Sequence, residues 1–143
     1  MKNLKIKDLN TIEEMASAFD LVSQMYSQMS FEDYISRLQE MIERNDFKMV
    51  AVYIDDEMVG VSGYWIFMML YCGRYLQASN LIVSQNFRSQ GVGKKILDYL
   101  EKKAKISGCQ KVVLDSYVEN KKSHPLYYRE GFYIRGFHFM KDI

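Results

Sequence analysis

Proline and cysteine are both scarce in this chain. Its 143 residues include one proline, Pro125, and two cysteines, Cys72 and Cys109. Two distant cysteines cannot build the disulfide framework of a small secreted domain, and neither has a Cys or His at metal-ligand spacing. No secretory signal precedes them. We therefore expect free thiols, a cytoplasmic location and no metal site.

Long apolar runs and a charge imbalance are also missing. The longest apolar run, residues 64–72, is too short to cross a bilayer. Lys and Arg number 19 and Asp and Glu number 18, so a net charge of +1 provides no field for nucleic acid or a membrane surface. The length suits one domain, and no linker or repeat divides it. We expect a single domain over residues 1–143, with neither nucleic acid nor membrane as partner. The oligomeric state stays open, and a homodimer is compatible with the sequence.

Hydrophobic periodicity predicts the element order β-α-α-β-β-β-α-β-α-β-β, and hence an α/β (α+β) domain with a mixed sheet and helices on both faces. The predicted strands are residues 2–8, 48–54, 58–70, 75–83, 111–116, 133–135 and 137–140. The predicted helices are residues 12–29, capped by Asn10 or Thr11, a helix that begins at Ser30, one from about Gln90 to near Gly108, and residues 124–130.

The segment from Arg88 to Gly93 predicts an anion site. The apolar run 81–83 precedes it, and Val92, Ile96, Leu100 and Ala104 follow it at helical spacing. A strand thus leads through a glycine-containing turn into a helix, whose free N–H groups and positive dipole end attract anions. Two glycines would let a diphosphate approach the backbone with no Cβ in the way.

Two common phosphate-binding motifs do not fit this segment. A Walker A loop needs Gly at position 88 and Ser or Thr at position 95, where the chain has Arg88 and Lys95. A dinucleotide fingerprint needs a small residue at position 96, where the chain has Ile96. Taken alone, the two glycines therefore indicate either a structural turn or a site for a phosphate compound of another class.

Arg88-x-x-Gly91-x-Gly93 resembles the pyrophosphate-binding pattern Q/R-x-x-G-x-G/A of the GNAT superfamily of N-acetyltransferases. A second stretch also resembles that family, because Asn120 is followed by the pair Leu126-Tyr127 and then by Gly131-Phe132 at the family's spacing. The resemblance covers the whole chain in element order and is specific over about residues 76–132.

The resemblance implies acetyl-CoA as cosubstrate. In the family, the strands that match 75–83 and 111–116 splay apart, and the pantetheine arm enters the gap beside the first strand. The implied binding residues are Leu81, Ile82, Val83, Arg88, Ser89, Gln90, Gly91, Val92, Gly93, Lys94 and Asn120. A backbone N–H near Ile82 would polarise the thioester carbonyl.

The same resemblance implies that Tyr127 is the general acid that protonates the departing thiolate, because a phenol stays protonated at neutral pH. Tyr128 is expected in the core. Many family members place a glutamate on the strand before the turn, but neither Gln77 nor Asn80 can accept a proton. Asp115, Glu119 and His124 are near in sequence, and no general base is assigned; His124 is expected to begin a helix.

The predicted activity is direct transfer of an acetyl group to a primary amine of a small molecule or peptide in a ternary complex. A CoA-binding sensor or interaction module without catalysis is the alternative, favoured by the missing carboxylate, and a structural domain with an empty anion site is the third. Several apolar residues could line a partly apolar acceptor pocket or simply pack in the core: Tyr26, Met29, Phe31, Tyr64, Trp65 and Phe67.

Overall fold

The sheet of the described residues has five strands, which lie side by side in the order in which they follow one another in the chain; neighbouring strands are antiparallel, except that the fourth and fifth are parallel. The computed structural model describes residues 3–143, so residue 2 of the first predicted strand lies outside the described residues. The strands are β1 Leu4–Leu9, β2 Lys48–Ile54, β3 Glu57–Met69, β4 Gly73–Val83 and β5 Lys111–Leu114. The helices are α1 Ile12–Ala16, α2 Phe19–Met25, α3 Phe31–Asn45, α4 Val92–Ile106 and α5 His124–Arg129.

The first predicted helix is two helices in the structure. Thr11 caps α1 as expected, because its Oγ1 accepts a hydrogen bond from the Glu14 N–H at 3.1 Å. At the end of α1, the Ser17 and Ala18 N–H groups bond to carbonyls three residues back, those of Glu14 and Met15. These tighter bonds end the α-helical pattern, and the chain restarts as α2.

Each face of the sheet has its own core. Successive side chains of β2 point to opposite faces of the sheet, so that Met49 and Ala51 pack toward α1–α3 while Val50 and Val52 pack toward α4. We call these the α3 face and the α4 face. The stripe predicted for α4 is confirmed, because its four residues are buried on the α4 face: Val92, Ile96, Leu100 and Ala104.

β4 and β5, the last two strands of the sheet, separate from each other at one end, as the resemblance implied. The parallel ladder runs only from Tyr75–Lys111 to Ala78–Leu114, whereas β4 continues to Val83. Directly past the ladder, the single residue Ser62 of β3 stands opposite both Asn80 and Leu81 of β4. This β-bulge places Asn80 at φ 58° and turns the free end of β4. We call the opening between residues 79–83 and the chain after Leu114 the strand gap.

The two closing strands predicted for residues 133–135 and 137–140 are wrong, because those residues form no strand. The segment 132–143 has alternating apolar residues but pairs with no neighbouring strand, and a β-strand exists only through its hydrogen bonds to a partner strand. Its apolar side chains are exposed by 66–116%: Tyr133, Ile134, Phe137, Phe139, Met140 and Ile143.

Candidate functional site

The N-terminus of α4 opens directly after Gly91. The first helical hydrogen bond is donated by Lys95 to the Gly91 carbonyl at 3.0 Å, so the N–H groups of Val92, Gly93 and Lys94 have no helical acceptor. Neither a capping side chain nor an acidic residue in the first turn neutralises this end. The turn is therefore suited to bind an anion through main-chain groups.

The two glycines of this turn serve different purposes. Gly91 has φ 83°, and a Cβ built there would meet nothing within 4 Å. Gly93 is buried, and its Cβ would lie 2.8 Å from Leu126 Cδ2 of α5. The open space expected beside both glycines is therefore found only at Gly91, whereas the missing Cβ of Gly93 makes room for α5.

The charged and polar side chains around this turn are mostly exposed. Arg88 follows a 3-10 turn at residues 85–87, Ser89 has φ 62°, and the Gln90 amide donates to the Asn86 carbonyl at 3.4 Å. Lys94 Nζ lies 3.0 Å from Glu130 and 3.1 Å from Asp98, and these bonds raise the pKa of Lys94. The ammonium is thus already balanced by two carboxylates, although the resemblance implied Lys94 as a residue that binds the diphosphate.

The free end of β4 forms the part of the candidate site that precedes this turn. Ile82 and Val83 pair with Val61 and Gly60 of β3 on one side, and no strand of the described residues pairs with 79–83 on the other. Ile82 is buried on the α3 face, while Leu81 and Val83 pack toward the α4 face. This edge can accept an extended chain as an additional strand.

The short helix α5 lies beside the start of α4, because Leu126 contacts Gly93 and Glu130 pairs with Lys94. Tyr127 is half-buried and its ring packs edge-on against Phe132 at 6.2 Å between centroids. Burial raises the pKa of Tyr127, and a hydrogen bond with Ser123 opposes that shift. The phenol therefore keeps its proton at neutral pH and can donate it.

Of the positions expected for two residues near Tyr127, that of Tyr128 is wrong and that of His124 is confirmed. Tyr128, expected in the core, is 57% exposed, because consecutive residues of a helix point to different sides. His124 begins α5 as expected, and its Nε2 lies 3.1 Å from the Tyr117 carbonyl. Asn120 is half-buried in the loop before α5, where its carbonyl accepts from the Ser123 N–H at 3.2 Å.

The carboxylate of Asp115 lies where β4 and β5 separate and the strand gap begins. Asp115 follows the last residue of β5, and its Oδ2 accepts a hydrogen bond from Gln77 Nε2 of β4 at 3.0 Å. His138 Nδ1 lies 3.8 Å from the same oxygen. The other carboxylate considered, Glu119, is exposed in the loop that follows. Only the ladder register, which the sequence does not display, distinguishes Asp115 from Glu119.

A cavity of about 210 Å³ opens on the α3 face between α2, α3 and the sheet. Its lining is Val22, Tyr26, Met29, Tyr34, Arg37, Leu38, Met41, Phe47, Met49, Val61 and Asn80. At the sheet end, the Tyr26 hydroxyl donates to the Asn80 side chain. Burial, and then the adjacent Tyr117, raise the pKa of Tyr26. Arg37 is exposed and forms no ion pair with a described residue.

Of the six apolar residues named from the sequence as candidate pocket residues, Tyr26 and Met29 line this cavity. Tyr64 is buried on the opposite, α4 face, and Phe31 is 46% exposed against Phe19. Trp65 and Phe67 stack on each other along β3, with ring centroids 5.6 Å apart, outside the lining. Packing against neighbouring side chains therefore accounts for the other four residues.

Two kinds of feature are absent from the described residues, 3–143. No group of three or more His, Cys, Asp or Glu side chains there could hold a metal ion. No helix among them has the length and apolar character needed to cross a membrane.

Comparison with known proteins gives a consistent result. The profile of the acetyltransferase (GNAT) family matches residues 12–132. The chain is 26% identical over 141 residues to the uncharacterized N-acetyltransferase YhdJ of Bacillus subtilis, covering 98% of this chain and 99% of that protein. It is 27% identical over 128 residues to glucosamine 6-phosphate N-acetyltransferase of Arabidopsis thaliana, covering 84% and 85%. The aminoglycoside N-acetyltransferase AAC(6')-Iy, solved in complex with CoA, shares the fold with a TM-score of 0.80 at 17% identity, covering 100% and 97% of the two chains.

Proposed function

The chain belongs to the acetyltransferase (GNAT) family and is an N-acetyltransferase, and we propose that it transfers acetyl from acetyl-CoA to a primary amine by direct attack in a ternary complex. One observation carries this proposal: the open N-terminus of α4 lies at the end of the unpaired β4 edge. A diphosphate with an extended arm requires these two features in succession.

The residues present fit such a donor. The N–H groups of Val92, Gly93 and Lys94 would hold the diphosphate over the open space at Gly91, with Arg88, Ser89 and Gln90 forming the turn. Leu81, Ile82 and Val83 would hold the arm through their backbone, and Asn120 would bond it from the opposite side. When bound there, acetyl-CoA supplies a thioester carbonyl as electrophile, and an N–H near Ile82 would stabilise charge on its oxygen.

Tyr127 is proposed as the general acid. Its phenol is carried by α5, whose Leu126 lies against Gly93 at the start of α4, and burial raises its pKa, which favours the protonated form. In the transfer it would donate its proton to the departing sulfur. Cys72 and Cys109 are both unpaired thiols. Burial raises the pKa of Cys109, which makes this thiol a poor nucleophile and disfavours a covalent route through it.

The α3-face cavity is proposed to hold the acceptor. Its walls are mostly apolar, and its one cationic side chain is Arg37. Two of the proteins named above acetylate glucosamine 6-phosphate and aminoglycosides, respectively, as their names state. A polycationic aminoglycoside would be repelled by Arg37, and a bare sugar would leave its hydroxyls against apolar walls. An amine with an apolar body and no further positive charge fits this lining better.

The test is a panel of amines with acetyl-CoA, read as release of free thiol. Phenethylamine, phenylalanine, glucosamine 6-phosphate and an aminoglycoside cover the acceptor classes. We expect thiol release with the aromatic amines and little with the aminoglycoside. Acetyl-CoA alone should raise the melting temperature by mass action. A thermal shift without thiol release for any amine would favour the non-catalytic CoA-binding module, and no shift at all would remove the donor site.

We also propose a homodimer in the cytoplasm. The exposed apolar residues of segment 132–143 lie near the open edge of β5, since His138 contacts Asp115, and a second copy could cover them. Light scattering on the intact protein should then give twice the chain mass. The free thiols are in keeping with a reducing compartment.

A further inference from the structure

We propose that Asp115, held by Gln77, receives the acceptor ammonium at the strand gap and removes its proton. This inference rests on the proposed function and adds the proton acceptor that the strand before the turn lacks. Three observations carry it: the position of Asp115 at the gap, the face of the sheet it occupies, and its hydrogen bond.

The first observation is position. The β4–β5 ladder ends at the pair Ala78–Leu114, and Asp115 is the next residue. Its carboxylate therefore stands where the strands separate, at the inner end of the gap proposed for the thioester arm. Among the carboxylates near β5 in sequence, Glu119 is four residues farther along an exposed loop.

The second observation is the face. Gln77 pairs across the sheet with Trp65, which packs against the α3-face core. Paired residues of neighbouring strands share a face, so Gln77 lies on the α3 face. Asp115 is hydrogen-bonded to Gln77 and is on the same side. This is the face on which the acceptor cavity opens, whereas α4 covers the other one.

The third observation is how the carboxylate is held. Oδ2 accepts from Gln77 Nε2 at 3.0 Å and faces His138 Nδ1 at 3.8 Å, while Oδ1 has no hydrogen-bond partner among residues 3–143. One oxygen is therefore anchored to a strand, and the other is available for an ammonium group. The Asp115 side chain is 60% exposed, so a proton taken there can pass on to solvent.

The transfer then balances. The Asp115 carboxylate takes one proton from the ammonium and returns it to solvent. The neutral amine nitrogen forms a bond to the acetyl carbon as the carbon–sulfur bond breaks, and Tyr127 gives its phenolic proton to the sulfur. The nitrogen loses its second proton, which restores the Tyr127 phenol by way of solvent. One proton is released per turnover.

The test compares Asp115→Asn with the double variant Asp115→Asn/Gln77→Glu. In the double variant the amide and the carboxylate exchange places, so the hydrogen bond and the carboxylate both return. Acceptors are the strongly basic phenethylamine and the weakly basic phenylhydrazine, which is already neutral at neutral pH. We expect Asp115→Asn to lower kcat/KM for phenethylamine by about 10²-fold and to change the phenylhydrazine value little. The double variant should recover part of the loss.

Glu119→Gln is the matched control and should leave both amines unaffected. Equal losses for both amines in Asp115→Asn, or no recovery in the double variant, would reduce Asp115 to a structural role and overturn the inference. An effect of His138→Gln as large as that of Asp115→Asn would assign the proton to the imidazole and overturn it as well. A wild-type enzyme that acetylates no amine, although acetyl-CoA raises its melting temperature, would instead contradict the proposed function.

Discussion

The two sides of the strand gap are built in different ways. The proposed donor side is formed by almost consecutive residues, from Leu81 on β4 to Lys94 at the start of α4. The cavity proposed for the acceptor is lined by residues spread from Val22 on α2 to Asn80 on β4. Main-chain N–H groups dominate the first side and apolar side chains the second.

This difference explains why only one side has a motif. A site made of backbone groups needs a particular chain path, and a path is fixed by glycines at set spacing. A site made of side chains tolerates many combinations of apolar residues, provided that they fill a similar volume. Changes on the donor side should therefore affect acetyl-CoA or turnover with every amine, whereas changes in the cavity should affect the choice of amine.

The largest effect is expected at Tyr127, where the two sides meet in the chemical step. Tyr127→Phe should lower kcat by about 10²- to 10⁴-fold, because the departing sulfur loses its proton donor. The Kd for acetyl-CoA, measured by calorimetry, should stay nearly the same. Tyr128→Phe is the matched control, since it removes the hydroxyl of the adjacent tyrosine, which is 57% exposed. Unchanged turnover in Tyr127→Phe would remove this phenol from the mechanism.

Gly91→Ala should separate backbone strain from donor binding. Both Gly91 and Gly108 have positive φ, at 83° and 74°, so an alanine at either position should cost about 1–2 kcal/mol of stability. Only at Gly91 would the new methyl group enter the space proposed for the diphosphate. We expect about tenfold weaker acetyl-CoA binding for Gly91→Ala, and unchanged binding for Gly108→Ala. Similar affinities in the two variants would contradict the proposed location of the diphosphate.

Met41→Trp should act on the cavity alone. Met41 is half-buried in the lining on α3, and a larger side chain there would occupy the volume proposed for the acceptor. We expect an increase in KM for phenethylamine of about tenfold, the loss of about 1.4 kcal/mol in binding, with the same Kd for acetyl-CoA. Met68→Trp, at a residue 65% exposed near the end of β3, is the control. A rise in both the KM for phenethylamine and the Kd for acetyl-CoA would mean that the cavity and the donor side are not independent.

The smallest effect is expected at Arg37. Arg37→Gln should reduce the preference for phenylalanine over phenethylamine about two- to fivefold, as expected for an exposed ion pair with the amino acid carboxylate. The change should shrink as salt is added. Arg44→Gln alters a cation on the same helix that pairs with Glu40 at 3.8 Å, and it should leave the preference as it was. A constant preference in Arg37→Gln would show that the cavity does not recognise the acceptor's charge.

The sequence predicted the helices and strands that have strong periodicity and clear ends. α3 begins at the Ser30 cap and β2 spans residues 48–54, as expected. The break between α1 and α2 was missed, because both parts carry one continuous apolar stripe and only local i−3 hydrogen bonds separate them. The closing strands were predicted from alternation alone, which describes a segment able to pair but not whether a partner is present.

The proposed site could be recognised from the sequence only in part. The residues around Gly91 and Tyr127 were recognisable because their spacing is preserved along the chain. Asp115 was one of three nearby candidates until the parallel register placed it at the end of the ladder. The expected core position of Tyr128 failed because its neighbour on the same short helix took the inward side.

By itself, the sequence determined the strand–turn–helix at residues 81–94 and the family to which the chain belongs, because glycine conformations and apolar periods are local properties. The tertiary structure alone decided which strands part, which carboxylate meets Gln77, and which side chains enclose the α3-face cavity. These depend on contacts between residues far apart in the chain. Such contacts are selected by the free energy of packing the whole domain, which no local pattern contains.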